Sequence, residues 1–466
     1  MWSWLPLHWF RFCMGYNIRS EKKPVMKLFT KNRGKKNEPG VAGLMASLSY
    51  DAESSLEPLY DAIGDARIVL LGEASHGTHE YYTWRSRITQ HLVKEKGFNI
   101  IGVEGDWPDV YRINRYVKNY PGSENSSLEV LKQFRRWPSW MWANWEVAAL
   151  MEWLKAHNRP KTWDQQSGFY GLDVYSLWES LEAVMGYLKK HDPDAVATAQ
   201  KALECLEPYH REGSDYAAAT RFVSESCQNE VLELLNKIRS RAVYYDGDRE
   251  APFNVEQNAL TAVNAERYYR SMIAGGSGSW NIRDTHMSDT LEKLLEFHGE
   301  GSKAVVWEHN THIGDARATD MGRSGIVNVG QLVRERWGRE ACVLVGIGSY
   351  QGSVIAGRSW GAPMEEMKVP EAREGSWEAV LHETTPASKL IITSHMKDKA
   401  PLKRHFDHRA IGVVYRPEME RHGNYVPSLI SDRYDAFLFL DKTRALHPIT
   451  SKADLSMTPD TYPWGL

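Results

Sequence analysis

Three places in this chain gather carboxylates and imidazoles at short spacing. Glu73 and His76 lie in GEASHGTHE, Glu104 follows in VEGDWPD, and Glu308, His309 and His312 stand together in VWEHNTHIGD. Such groups serve two chemistries. A carboxylate can hold an imidazole in one tautomer while its other nitrogen takes a proton from water. The same set can bind a divalent metal that acidifies its own water. Neither spacing matches HExxH and no cysteine joins the set, so a metal is permitted but not signalled. No cofactor is expected. A covalent route needs an activated nucleophile. Gly357-Arg358-Ser359-Trp360-Gly361 matches G-x-S-x-G, but Pro363 and Pro370 follow where a nucleophile elbow needs a long helix, so the match reads as chance. No phosphate loop is present, and Gly346-Ile347-Gly348 lacks the third glycine of a dinucleotide fingerprint.

Positioning these groups takes strands that end together. Arg67 to Leu71 is a short apolar run with β-branched residues, suited to a buried parallel strand, and it stops at Gly72. Helical spacing (Trp84, Ile88, Leu92) runs from about His79 to Lys96 and ends at Gly97. A second strand, Asn99 to Val103, delivers Glu104. Parallel strands of a βαβ unit open their carboxy ends on one edge, so Glu73, His76 and Glu104 are expected to face one cleft. A third strand, Ala304 to Trp307, ends in Glu308. Further strands are expected at Ser167–Val174 (ending in Asp173), Ala341–Ile347, Leu390–Thr393, Ala410–Tyr415 and Ala436–Leu440.

From Leu177 to about Leu295 the periodicity is helical almost throughout, broken at Pro193, Pro208 and GDREAPFN. The expected fold is α/β: a mostly parallel central sheet flanked by helices, with a helical subdomain inserted between the two halves of the sheet and covering the cleft. The division is 1–45, a disordered or mis-started extension; 46–176, the first half of the core; 177–300, the helical subdomain; 301–450, the second half; and 451–466, a tail.

Several residues carry a plain alternative. Trp137, Trp140, Trp142, Trp145 and Trp153 crowd one stretch, and Trp107 follows Glu104 closely. These rings could wall a pocket for a bulky ligand, or seal a helix onto the sheet. Asp106 and Asp109 suit N-caps of a helix from Pro108 to Val117. Arg85 could form a surface ion pair or reach back over the cleft. His79, His286 and His395 read as loop residues.

The chain has 466 residues, 25% of them charged, and a formal net charge of −3, which gives no pull toward nucleic acid or anionic membrane. No apolar stretch approaches a membrane span of about 18–20 residues. The aromatic start, interrupted by His8 and Arg11, makes a poor signal peptide; an interfacial anchor backed by Lys22 to Lys36 is the minor alternative. Cys13, Cys205, Cys227 and Cys342 show no zinc spacing and read as free thiols in a reducing compartment, hence a cytoplasmic protein. Composition does not set the oligomeric state.

GEASHGTHE, VEGDWPD, RWPSWMWAN, NIRDTHM and VWEHNTHIGD, in that order, resemble the erythromycin esterase family, and the likeness runs from about Asp51 to Pro448. The resemblance implies an α/β core with helices over a deep cleft, and direct, metal-independent hydrolysis of a carboxylic ester such as a macrolide lactone. By it the catalytic histidine falls on His76 and its partner glutamate on Glu73, with Arg85, Glu104, His309 and His312 completing the catalytic set. Arg283 becomes a pocket residue, with Glu308, Trp107, Trp140 and Trp142 beside it. A small-molecule ester is the implied partner.

Overall fold

The computed structural model of the protein describes residues 45–49, 53–209, 216–217, 219, 226–240, 248–272, 277–393 and 404–449. The expected N-terminal extension, the C-terminal tail and His395 lie outside these residues, apart from Met45, which already belongs to a strand. The strands are β1 (Met45–Ser47), β2 (Ile68–Leu71), β3 (Ile100–Asp106), β4 (Gly168–Asp173), β5 (Ala304–Trp307), β6 (Cys342–Gly357), β7 (Met364–Val369), β8 (Lys389–Ile392), β9 (Phe406–Arg409), β10 (Tyr425–Ser428) and β11 (Ala436–Thr443). Among the described residues nine of them form one sheet, ordered β1-β8-β11-β6-β2-β5-β3-β4, with β7 paired to β6. The run from β11 to β4 is parallel throughout, and the antiparallel pairs β1–β8, β8–β11 and β6–β7 lie beside it. The fold is therefore mixed α/β with a large sheet flanked by helices.

Alternation along the strands sends their side chains to opposite faces, and each face has its own core. Val69, Leu71, Ile101, Val103, Val305 and Trp307 pack on one face with helices His79–Glu95 and Trp145–Asn158. Ile68, Leu70, Ile100, Ala304 and Val306 pack on the other with Leu291, Leu294 and Leu295 of helix Gly278–His298. Between β4 and β5 the described elements are all helical. Helices Leu177–His191, Val196–Leu206, Gln228–Arg239 and Ala251–Met272 share a third apolar cluster.

Three expectations change, and the chance reading of G-x-S-x-G holds. Residues 410–415 make isolated bridges rather than a strand; the strand in this region is β9, which pairs with β10 away from the main sheet. The G-x-S-x-G match falls in the turn between antiparallel β6 and β7, with no helix behind it. Cys205 and Cys227 are joined in a disulfide, their Cα atoms brought to 5.8 Å by the helices they adjoin, while Cys342 is free and buried. Asp106 stands at the N-cap position of helix Trp107–Val117 but makes no capping bond; its carboxylate accepts instead from Arg136 Nη1 at 2.8 Å.

Candidate active site

Register brings the chemistry together. Leu71 and Val103 both pair with Trp307, so β2 and β5 end level with Val103 of β3, with β5 in the middle. Glu73 and His76 past β2, Glu308 to His312 past β5, and Glu104 in the last residues of β3 therefore converge at the carboxy edge of the sheet. The loop after β2 is held on every side. Asn310 N–H donates to the Glu73 carbonyl (2.8 Å), and Ile355 and Leu446 N–H groups both donate to the Gly77 carbonyl (2.9 Å each). Gly72 abuts Asn310 Oδ1 and Gly77 abuts the Ile355 carbonyl, so neither position has room for a Cβ.

His76 is fully buried. Its Nδ1 donates to Glu73 Oε1 at 2.9 Å, which in the neutral ring puts the lone pair on Nε2, an atom with no hydrogen-bond partner. Glu73 Oε2 accepts from Arg85 Nη2 at 2.6 Å. The Arg85 guanidinium lies over the rings of Tyr82 (4.4 Å) and Trp307 (4.7 Å), behind Glu73 rather than over the cleft. Carboxylate and cation together fix the tautomer and the pose of His76.

His309 has the complementary tautomer. Its Nδ1 accepts from Thr311 Oγ1 (2.8 Å) and from the Thr311 N–H (3.3 Å), so in the neutral ring the proton sits on Nε2, which is buried without a partner. Burial, reinforced by the neighbouring His76 and opposed by Glu104, holds its pKa well below the ordinary histidine value, so the ring is neutral. The His76 and His309 rings are 4.9 Å apart. One imidazole thus presents an acceptor beside another that presents a donor.

His312 is occupied. Its Nδ1 donates to Asp284 (2.9 Å to Oδ1), its Nε2 meets Arg283 Nη1 at 3.0 Å, and Trp280 stacks on its ring at 4.6 Å. Burial works against its charge, but Asp284 and Glu104 outweigh that and raise its pKa. Arg283 is likewise committed to protein partners. It donates from Nε and Nη2 to the two oxygens of Asp173 (2.9 and 2.7 Å) and from Nη2 to Glu104 Oε1 (2.7 Å). Glu104 Oε2 accepts the His309 N–H at 2.8 Å. Burial disfavours the Glu104 charge, yet His312, His76, Arg283 and that N–H together hold its carboxyl well below the usual range. Glu104 and Arg283 are thus a staple joining β3, β4, the loop after β5 and helix Gly278–His298.

Trp107, Trp140 and Trp142 take the plain alternative. Trp107 is buried on the sheet face that packs helix Gly278–His298, where its Nε1 donates to Asn254 at 2.8 Å and its ring stacks near Tyr111 and Tyr170. Trp140 and Trp142 are buried in the core shared with helix Trp145–Asn158, and Trp142 Nε1 donates to the Glu104 carbonyl at 3.2 Å. Spacing along the chain could not show this, because the loop before that helix folds inward. Two site residues were missed. Asp173 was legible as a strand end and Asp284 only as a neighbour of Arg283; their partnership with Arg283 and His312 needs the fold.

Glu308 is fully buried and neither carboxyl oxygen has a partner. Burial first, and then Glu104 and Asp284, push its pKa well above its ordinary 4.5, so the native group is the neutral acid. Below that ordinary value native and unfolded chains both carry the proton. As pH rises past it only the unfolded chain releases it, so stability falls by up to about 1.4 kcal/mol per pH unit until the folded pKa is reached. Glu308→Gln removes this titration. Urea unfolding should therefore show the variant gaining on the wild type from pH 5 to pH 8; a pH-independent difference would mean that Glu308 is ionised in the native state.

The family model described as erythromycin esterase matches residues 93–443. Glu104, Arg283 and Glu308 to His312 lie inside that span, and Glu73, His76 and Arg85 precede it. Erythromycin esterase type II of Escherichia coli is 23% identical over 359 residues, covering 71% of this chain and 81% of that one. Among solved structures, a Bacillus cereus protein superposes with a TM-score of 0.73 at 19% identity over 88% of this chain and 98% of its own. An erythromycin esterase mutant, EreC, in its open conformation gives 0.62 at 17% identity over 86% and 96%. With one family model running from the helix before β3 to the last residue of β11, this chain belongs to the erythromycin esterase family.

Proposed function

We propose that the protein hydrolyses a carboxylic ester, the lactone of a macrolide or a related cyclic ester, by direct attack of water. One observation carries this reading: the buried His76 Nε2 is a free acceptor, oriented by Glu73, beside the free Nε2–H of His309. In the proposed reaction His76 Nε2 takes a proton from water as the water oxygen bonds to the ester carbonyl carbon. His309 Nε2–H and the neutral Glu308 O–H stabilise the charge that develops on the carbonyl oxygen. The tetrahedral intermediate then expels the alkoxide, which takes its proton back from His76, leaving acid and alcohol. Glu73 and Arg85 position the base, and Arg283 with Glu104, Asp173, Asp284 and His312 holds the frame. No covalent enzyme intermediate is formed. Family membership and relatives named as erythromycin esterases support this substrate class.

His76, Glu308 and His309 are fully buried, so a bulky lactone reaches them only when covering elements move aside. We assign that cover to the helices between Leu177 and Met272, which pack in an apolar cluster of their own, while helix Gly278–His298 stays fixed to the sheet by Arg283. Closure then keeps bulk water from the reacting atoms.

The test is mass spectrometry on a panel of macrolides and simpler lactones incubated with the protein, with and without chelator. A gain of one water by at least one lactone, unaffected by chelation, is expected. A panel left intact overturns the esterase reading; turnover lost on chelation and restored by metal overturns the metal-independent one.

A further inference from the structure

A second cluster of ligand-type side chains lies at the start of helix His79–Glu95, and the catalytic reading leaves it unused. His79 Nδ1 and His447 Nδ1 both point at Glu146 Oε1, at 2.5 and 2.6 Å. The two rings stand 5.0 Å apart and nearly perpendicular, at 82°. Three segments distant in sequence supply these groups, and backbone bonds fix them to one another. His79 N–H donates to the Arg444 carbonyl (2.9 Å) and Trp145 N–H to the His447 carbonyl (3.0 Å). Thr78 bridges to Ala445 and Asn144 to Pro448.

We propose that His79, Glu146 and His447 form a binding site for a divalent first-row transition cation of the zinc type, separate from the catalytic group. The donor set, two imidazoles and a carboxylate, suits such ions and leaves a fourth position for water. The three ligand atoms lie within 4.8 Å of one another. Bonds of about 2.1 Å at tetrahedral angles would set them about 3.4 Å apart, so small ring movements suffice. Glu146 is buried, and its second oxygen, Oε2, has no hydrogen-bond partner: a carboxylate aimed into the cluster with capacity to spare. Ligation needs each Nδ1 to offer its lone pair, which moves the ring proton to Nε2; the carboxylate then gives the donor set a charge of −1, which a divalent cation reverses. Entry is open, because the His447 side chain is 58% exposed and that of His79 is 21% exposed. A bound cation would clamp the segment Arg444–Pro448 onto the loop that carries His76, since Leu446 N–H already holds the Gly77 carbonyl.

The experiment uses the full chain, stripped with chelator and titrated with Co²⁺ alone, read by d–d absorption and by metal content after gel filtration. Wild-type protein should bind one equivalent with the absorption of a four- or five-coordinate site, and Zn²⁺ should displace it and raise the melting temperature. His447→Ala alters an exposed side chain and leaves the fold intact. It should weaken binding by at least about 100-fold, because losing a direct ligand costs more than losing an outer partner. His76→Gln should bind Co²⁺ as the wild type does. The proposal is overturned by no saturable binding below 100 µM Co²⁺ (roughly the weak limit for a built site), by unchanged binding in His447→Ala, or by loss of the site in His76→Gln.

Discussion

His76→Gln lowers kcat for ester hydrolysis by about 10³-fold while the fold and KM stay close to wild type; a factor of 10²–10⁴ is usual for a positioned general base. The fold is spared because Glu73 keeps its ion pair with Arg85 and the amide is close to the imidazole in size. KM moves little because the lost proton transfer belongs to the transition state and not to substrate binding. Steady-state kinetics on whichever lactone is turned over, paired with thermal unfolding, measures both halves. A variant within tenfold of the wild-type rate would remove His76 as the base. A large rate loss accompanied by a fallen melting temperature would instead assign it a structural role.

Arg283→Leu is expected to destabilise the protein by about 3–5 kcal/mol, the usual cost of stripping one partner from a buried charge cluster. The loss leaves Glu104 and Asp173 buried and facing each other without their shared cation, and it takes a partner from His312. Lysine should not rescue it, because a single ammonium cannot reproduce the two-pronged contact with Asp173 and reach Glu104 as well. The pH dependence has a definite sign. In the wild type the Glu104 carboxyl is depressed, so its contribution is present above its ordinary 4.5 and is lost as pH falls through the lower folded value. Without Arg283 that depression weakens. The gap between variant and wild type should therefore hold from pH 7 down to about pH 4.5 and be narrower at pH 3. Guanidinium unfolding at pH 7 and pH 3 is the measurement, and a loss below about 1 kcal/mol at pH 7, the range of an exposed pair, would show that Arg283 is not the staple described.

The strand ends were legible because a buried parallel strand is a short apolar run, and the residue after it is the first that can be polar. That rule found Glu73, Glu104 and Glu308 at the correct edge. It also misled at Ala410–Tyr415, whose apolar residues are buried by packing around single bridges rather than by a ladder. Arg85 was the hardest to read. Helical spacing allowed a surface position or the cleft, and the structure gives neither: the guanidinium is buried between two aromatic rings with its charge on Glu73. His79 reads as a loop residue where helical spacing begins; it starts the helix, and its partner Glu146 and their neighbour His447 come from segments no local pattern could join to it.

By itself the sequence determined the α/β class, the parallel run of strands, the family, and which carboxylates and imidazoles stand at strand ends, because each of these is written in residues adjacent along the chain. Tertiary structure alone decided that β5 enters between β2 and β3, since strand pairing depends on register between segments more than two hundred residues apart. It also decided which nitrogens are free. His309 and His312 are three positions apart and chemically identical, but Thr311 takes one nitrogen of the first, while Asp284 and Arg283 take both of the second. A free lone pair or a free N–H is what remains after every neighbour has bonded, and neighbours are known only once the chain has folded.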